Sequence, residues 1–173
     1  MKLIVTFCNR GLNKVPWNLK ADLQHFNKLT IGDGENAVIM GRNTWNNINK
    51  TCFPKRTNII LTRKNVHKHF KETQQNKKTL RIYMNSFEET IKYCKSKNFD
   101  DAWIIGGPII YDYALSHNII RETHVIFSND EYRCDPFLHT LPFHFKLTQE
   151  RSYQLGNDLL YKHMVYENLS YKS

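Results

Sequence analysis

The sequence is poor in the features that mark several whole classes of protein. No apolar run approaches the roughly 18 residues that a membrane-crossing helix needs. The opening stretch Met1-Lys2-Leu3-Ile4-Val5-Thr6-Phe7 is broken by Asn9-Arg10, too early for the apolar core of an export signal. The four cysteines, Cys8, Cys52, Cys94 and Cys134, form no C-x-x-C pair and no zinc spacing with histidine. That pattern implies reduced thiols in a cytoplasmic compartment and no metal. There is no G-x-G-x-x-G fingerprint, no P-loop, no internal repeat and no low-complexity block. Acidic residues are few, 16 against 25 lysines and arginines, for a net charge of +9. The excess favours anionic partners such as nucleic acid, anionic lipid or phosphorylated small molecules; a solvated basic surface in a lysine- and asparagine-rich chain is the plain alternative.

What is present suits a globular protein. A chain of 173 residues, 40% hydrophobic and 24% charged, implies one domain over residues 1–173. Such a length buries roughly 70% of the surface its unfolded chain exposes, so no disulfide or metal staple is required. Short apolar runs at 3–8, 37–40, 58–62, 80–84 and 102–105 read as buried strands. Helical patterns fall among them at 18–30, 44–48, 86–95 and 108–116. Ser86 and Glu89 have capping-box spacing, with Phe87, Ile91 and Cys94 on one face, and Pro108 suits a first helical turn. This alternation predicts a mostly parallel α/β sheet. Runs at 122–128, 143–150 and 159–167 lack intervening helices and predict an antiparallel edge. The polar stretch 64–79 reads as a loop or an edge segment.

In open α/β sheets, ligands bind outside the carboxyl ends of the strands. Three such ends are suggestive here: Gly41-Arg42-Asn43-Thr44, Thr62-Arg63 and Gly106-Gly107-Pro108. Adjacent glycines permit close backbone approach, and helix N-termini attract anions, so a diphosphate-bearing cofactor fits. Separately, Gly-Gly is commonly only a turn and an arginine after a strand only a solvated cation; the coincidence at three strand ends carries the argument. Asp22 shares a helical face with Leu19, Leu23 and Phe26. An ionised carboxylate there is costly unless paired. It either pairs locally, with Lys20 or Lys28, or waits for a cationic or amidine-like ligand.

In chain order, Pro16-Trp17-Asn18-Leu19 with Asp22, Leu23 and Phe26, then Val38-Ile39-Met40-Gly41-Arg42-Asn43-Thr44-Trp45 with Ile48, then Pro54, Arg56 and Asn58-Ile59-Ile60-Leu61, then Ile104-Ile105-Gly106-Gly107 with Tyr111, resemble dihydrofolate reductase. A C-terminal strand ending at Glu167 agrees with this. The resemblance implies a three-layer α/β fold, with a mixed, mostly parallel eight-stranded sheet, flanking helices and an antiparallel last strand. It implies NADPH-dependent reduction of 7,8-dihydrofolate to 5,6,7,8-tetrahydrofolate for one-carbon and thymidylate metabolism. Hydride goes to the pterin C6 and a proton to N5. Asp22 then grips the pterin amino group and ring N–H, and Trp17 and Tyr111 join it as catalytic residues. Ile4, Val5, Leu23, Phe26, Ile48, Phe53 and Ile105 bind substrate, with Arg56 on the α-carboxylate of its glutamate tail. Val5, Val15, Gly41, Arg42, Asn43, Thr44, Leu61, Thr62, Arg63, Ile105, Gly106, Gly107, Ile109 and Tyr111 hold the cofactor, with a cis peptide at Gly106-Gly107. The paired arginines favour NADPH over NADH.

The chain departs from the family pattern in four places. Residues 9–15 are fewer than in the bacterial loop that closes over the nicotinamide, and the loop between Ile48 and Arg56 is one residue longer. Pro108 stands where many members have glycine or serine. Ile126 stands where a threonine usually bonds the carboxylate, with Ser128 the alternative one strand repeat later. Two competing readings stay open: a related-fold pteridine or pyrimidine-intermediate reductase of riboflavin-pathway type, and a basic nucleic-acid-binding module. The first lacks a use for Asp22 with Arg56; the second lacks any RNP, KH, zinc-finger or helix-turn-helix signature. The expected partners are dihydrofolate and antifolates, with no membrane. The expected state is a monomer, too short to include a fused thymidylate synthase.

Overall fold

The computed structural model describes residues 1–8, 20–33, 35–63, 73–76, 79–128, 141–155 and 159–172. In chain order the elements are β1 (Lys2–Cys8), α1 (Lys20–Ile31), β2 (Asn36–Gly41), α2 (Arg42–Asn47), β3 (Thr57–Leu61), β4 (Thr73–Asn76), β5 (Thr79–Met84), α3 (Phe87–Ser96), β6 (Asp101–Gly106), α4 (Pro108–Ser116), β7 (Glu122–Ser128), β8 (Phe145–Leu155) and β9 (Leu159–Asn168). All eight strand runs expected from the sequence are present. A short ninth, β4, lies within the polar stretch as an edge segment. The span 1–173, expected as one domain, is built of two compact units. The central unit is Asn27–Ile110, and the terminal unit is Met1–Phe26 with Tyr111–Ser173.

In the central unit, β2 lies between β3 and β6, parallel to both; β5 is parallel to β3, and β4 runs antiparallel to β5. Ala37, Val38, Ile39 and Met40 of β2 are wholly buried, as are Ile59 and Ile60 of β3. Strands covered on both faces are apolar without alternation, which is why these runs read continuously in the sequence. The Ser86 hydroxyl caps α3 by accepting from the Glu89 amide at 3.2 Å. Its buried face is Phe87, Thr90 and Cys94, whereas Ile91 was expected in place of Thr90. Thr90 tolerates full burial because its hydroxyl donates to the Ser86 carbonyl at 2.9 Å. Parallel strands whose carboxyl ends lie side by side place Gly41, Leu61 and Gly106 along one edge.

In the terminal unit, β1 is parallel to β7, and β9 is antiparallel to both β7 and β8. The antiparallel segment foreseen after residue 122 is therefore present. Its core is mixed in character: Leu3, Val125, Ile126 and Val165 are buried, but so are Thr123, His124, His163 and Asn168. Asn168 is satisfied locally, donating to the Ile120 carbonyl at 2.7 Å and accepting from the Ser170 amide at 2.9 Å. The histidines are satisfied by one another, as described below.

Candidate active site

The strand ends of the central unit assemble a cradle for an anion. Backbone register sets Gly41 beside Leu61 and Met40 beside Gly106. Arg42, exposed at the start of α2, donates to the Thr62 hydroxyl at 3.5 Å, and Arg63 is exposed one residue further on. A Cβ on Gly41 would lie 3.3 Å from Ile110 Cγ1 and 3.7 Å from the Gly107 amide nitrogen. A Cβ on Gly107 would lie 3.3 Å from Thr44 Oγ1. A side chain at either glycine would crowd these neighbours. Gly106 has φ of +117°, a conformation that L side chains rarely adopt, and the Gly106-Gly107 peptide is cis. Since α2 has only six residues, the positive charge here comes from arginines and local amides more than from a helix dipole. Leu61 and Ile105 are buried beneath this edge, and Asn43 is exposed. Ile109 is 75% exposed, and its neighbour Ile110 is the residue that meets Gly41.

Arg56 is 1% exposed. Its Nε donates to the Pro54 carbonyl at 3.0 Å, Nη1 to Thr30 Oγ1 at 2.5 Å and Nη2 to Asn27 Oδ1 at 2.8 Å. These three acceptors are neutral oxygens, and the guanidinium carbon lies 5.1 Å from the Phe53 ring centroid. Burial lowers its pKa to about 10, which leaves it cationic at neutral pH. The preceding loop is held by Asn58, a wholly buried amide on β3. Asn58 accepts from the Phe53 amide at 2.8 Å and donates to the carbonyls of Phe53, Arg56 and Leu80 at 2.9, 3.0 and 3.2 Å. Replacing it with the near-isosteric Leu leaves an amide and three carbonyls without this partner. We expect Asn58→Leu to destabilise the protein by about 2–4 kcal/mol. The check is a lower denaturation midpoint at unchanged slope.

In the terminal unit, Asp22 lies on α1; its side chain lies outside the described residues. Leu23 is half-buried and Phe26 is buried at 3% exposure. The Tyr111 hydroxyl donates to the Ile4 carbonyl at 2.9 Å. Burial raises the Tyr111 pKa, so it stays a phenol with its proton committed to β1. Val5 is half-buried on β1, and Ile48, Thr44 and Phe53 are half-buried in the central unit. Val15, Trp17 and the segment 9–15 lie outside the described residues.

Comparisons with known proteins identify the family. The sequence model of the family described as dihydrofolate reductase matches residues 11–168. The chain belongs to the dihydrofolate reductase family. A dihydrofolate reductase from Heliothis virescens is 28% identical, with 98% of this chain and 97% of that one covered. A bifunctional dihydrofolate reductase-thymidylate synthase from Acanthamoeba polyphaga mimivirus is 31% identical over 80% of this chain, which spans only 24% of that protein. Among solved structures, a dihydrofolate reductase from Enterococcus faecalis complexed with NADP(H) and RAB-propyl superposes with a TM-score of 0.72 at 19% identity, covering 96% of this chain and 94% of that one. The fold is thus that of dihydrofolate reductase, an oxidoreductase family whose reaction is the NADPH-dependent reduction of dihydrofolate.

Against that family, the two candidate threonine equivalents differ in what can be seen. Ile126 is buried at 2% exposure, opposite Thr6 on β1 and His163 on β9. Ser128 lies two residues on, hence on the same strand face, with its side chain outside the described residues. Sequence reasoning gave no role to Asn27 and Thr30, which hold Arg56, to Asn58, or to Ile110. Only Asn58 carried a signal, as an amide within an otherwise apolar strand run.

Proposed function

We propose that this chain reduces 7,8-dihydrofolate to 5,6,7,8-tetrahydrofolate with NADPH, as a cytoplasmic monomer. The observation that carries the reading is the cradle at the ends of β3, β2 and β6, tight against any side chain at Gly41 and Gly107 and flanked by two arginines. Bound there, NADPH supplies the hydride that the reaction needs. The residues present fit it: the glycines admit a diphosphate, and Thr44, Thr62, Arg42 and Arg63 suit its oxygens and the 2′-phosphate. In the central unit, Arg56 takes the α-carboxylate of the substrate's tail with the planar fork that suits bidentate binding, and Ile48 and Phe53 meet its aromatic parts. In the terminal unit, Asp22 binds the pterin amino group and ring N–H and promotes proton delivery to N5 through solvent. Leu23 and Phe26 exclude water around it. Tyr111 holds β1 through the Ile4 carbonyl, a positioning part in place of the catalytic one expected from the resemblance. Cys52 and Cys94 are free thiols, in keeping with a reducing compartment.

The direct test is near-ultraviolet absorbance loss with purified protein, NADPH and dihydrofolate. Rapid loss blocked by methotrexate is the expected result; no loss from folded protein rejects the reading. Preference for NADPH has its own test. Exposed arginines contribute at the lower end of charge-assisted bonding, so the double variant Arg42→Ala/Arg63→Ala should raise KM for NADPH about 10-fold or more. KM for NADH, which lacks the 2′-phosphate, should hold.

A further inference from the structure

The terminal unit holds a row of three histidines, His25 half-buried and the other two buried, that the proposed chemistry does not use. His25 stands on α1, His163 on β9 and His124 on β7. His25 Nε2 lies 3.3 Å from His163 Nδ1, and His163 Nε2 lies 2.9 Å from His124 Nδ1. His124 Nε2 then meets Glu122 Oε1 on its own strand. The groups stand in single file, with His163 and His124 each engaged through both ring nitrogens. Among the described residues, no three metal-ligating groups converge. The arrangement is a hydrogen-bonded chain. His124 and His163 are 5% and 7% exposed.

The hydrogen bond from His124, helped by the charge of Lys2 at 3.5 Å, lowers the Glu122 pKa to about 2. An ionised Glu122 can only accept, so His124 donates to it from Nε2. Burial is the largest cause that lowers the His163 pKa, to about 4. A neutral imidazole carries one N–H, so His163 donates through one ring nitrogen and accepts through the other. Arg151 lies opposite His163 in the β8–β9 register, and the Tyr153 ring lies 6.0 Å from that of His25. The middle link therefore stays neutral, and the chain intact, around neutral pH.

We propose that this chain is a positioning device for proton delivery: it ties His25, and with it the turn of α1 that carries Asp22 three residues earlier, to β7 and β9 in one placement. The inference rests on the reading of Asp22 given above. Apolar packing would set the helix-to-sheet distance but permit sliding. A run of directional bonds with fixed donors and acceptors restricts sliding as well, as fully satisfied buried networks do.

Two variants of the central ring separate positioning from packing. His163→Phe keeps a ring and removes both links; His163→Gln keeps one acceptor and one donor. Because displacements of about 1 Å remote from the chemistry can cost about 10²-fold, we expect His163→Phe to lower kcat about 10-fold or more, with His163→Gln within about 2-fold of wild type. KM for NADPH should be unchanged in both. Nitrogen-resolved NMR of the wild-type protein should show the His163 ring neutral and hydrogen-bonded through both nitrogens at neutral pH. A doubly protonated or unbonded His163, or full kcat in His163→Phe, overturns the proposal. Should His163→Phe fail to fold, Glu122→Gln carries the same test. Its neutral amide weakens the link to His124, so a lowered kcat is expected, and wild-type kcat overturns the proposal. Failure of the Asp22 reading looks different: Asp22→Asn then runs at the wild-type rate while His163 stays neutral and bonded, and the positioning role falls with it.

Discussion

Asp22→Asn should lower kcat for dihydrofolate reduction by about 10²–10⁴-fold, the range that general acid–base assistance contributes. The substitution preserves shape and removes only the ionisable oxygen. Two accompanying readouts separate lost chemistry from lost structure. KM for NADPH should hold, because the residues assigned to the cofactor's phosphates lie in the central unit. The variant's residual rate should climb as pH falls, since solvent protons then replace those the carboxylate helped deliver. A variant as fast as wild type at neutral pH would remove Asp22 from the mechanism.

The second large effect belongs to Arg56. A bidentate bond between a guanidinium and a carboxylate contributes about 1.5–3 kcal/mol, so Arg56→Leu should raise KM for dihydrofolate about 10- to 10²-fold. If Arg56 binds the substrate's tail equally in the ground and transition states, kcat should change little. Arg56→Lys should recover only a small part, because an ammonium cannot reproduce the fork that engages Pro54, Thr30 and Asn27. Arg56 is also structural, so a control is needed. With a dihydropterin lacking the glutamate tail, wild type and variant should behave alike. Equal losses on both substrates would instead mean that the buried guanidinium serves only to brace α1 against the loop before β3.

Family and cofactor were legible because their signals are local. Each strand end carries a glycine, an arginine or both within a few residues, and their positions along one edge then follow from parallel pairing of the apolar runs. The Ser86 cap of α3 and Pro108 at the head of α4 are readable for the same reason. Thr90 was misplaced by periodicity alone: an apolar stripe ranks Ile91 higher, but a threonine can satisfy its hydroxyl on the preceding turn and be buried. Ile109 and Ile110 differ by one residue on a short helix, and only the approach of β2 decides which of them meets Gly41.

The sequence by itself determined the family, the order of strands and helices along the chain, and the carboxylate near the head of α1. Each depends on residue types within about one turn or one strand of each other. The tertiary structure alone decided that Asn58 would hold the loop behind Arg56, that Asn27 and Thr30 would engage its guanidinium, and that His25, His124 and His163 would meet in one row. Those partners are separated by up to 138 positions in the chain. Strand register and helix docking bring them to hydrogen-bonding distance, and no spacing rule encodes either.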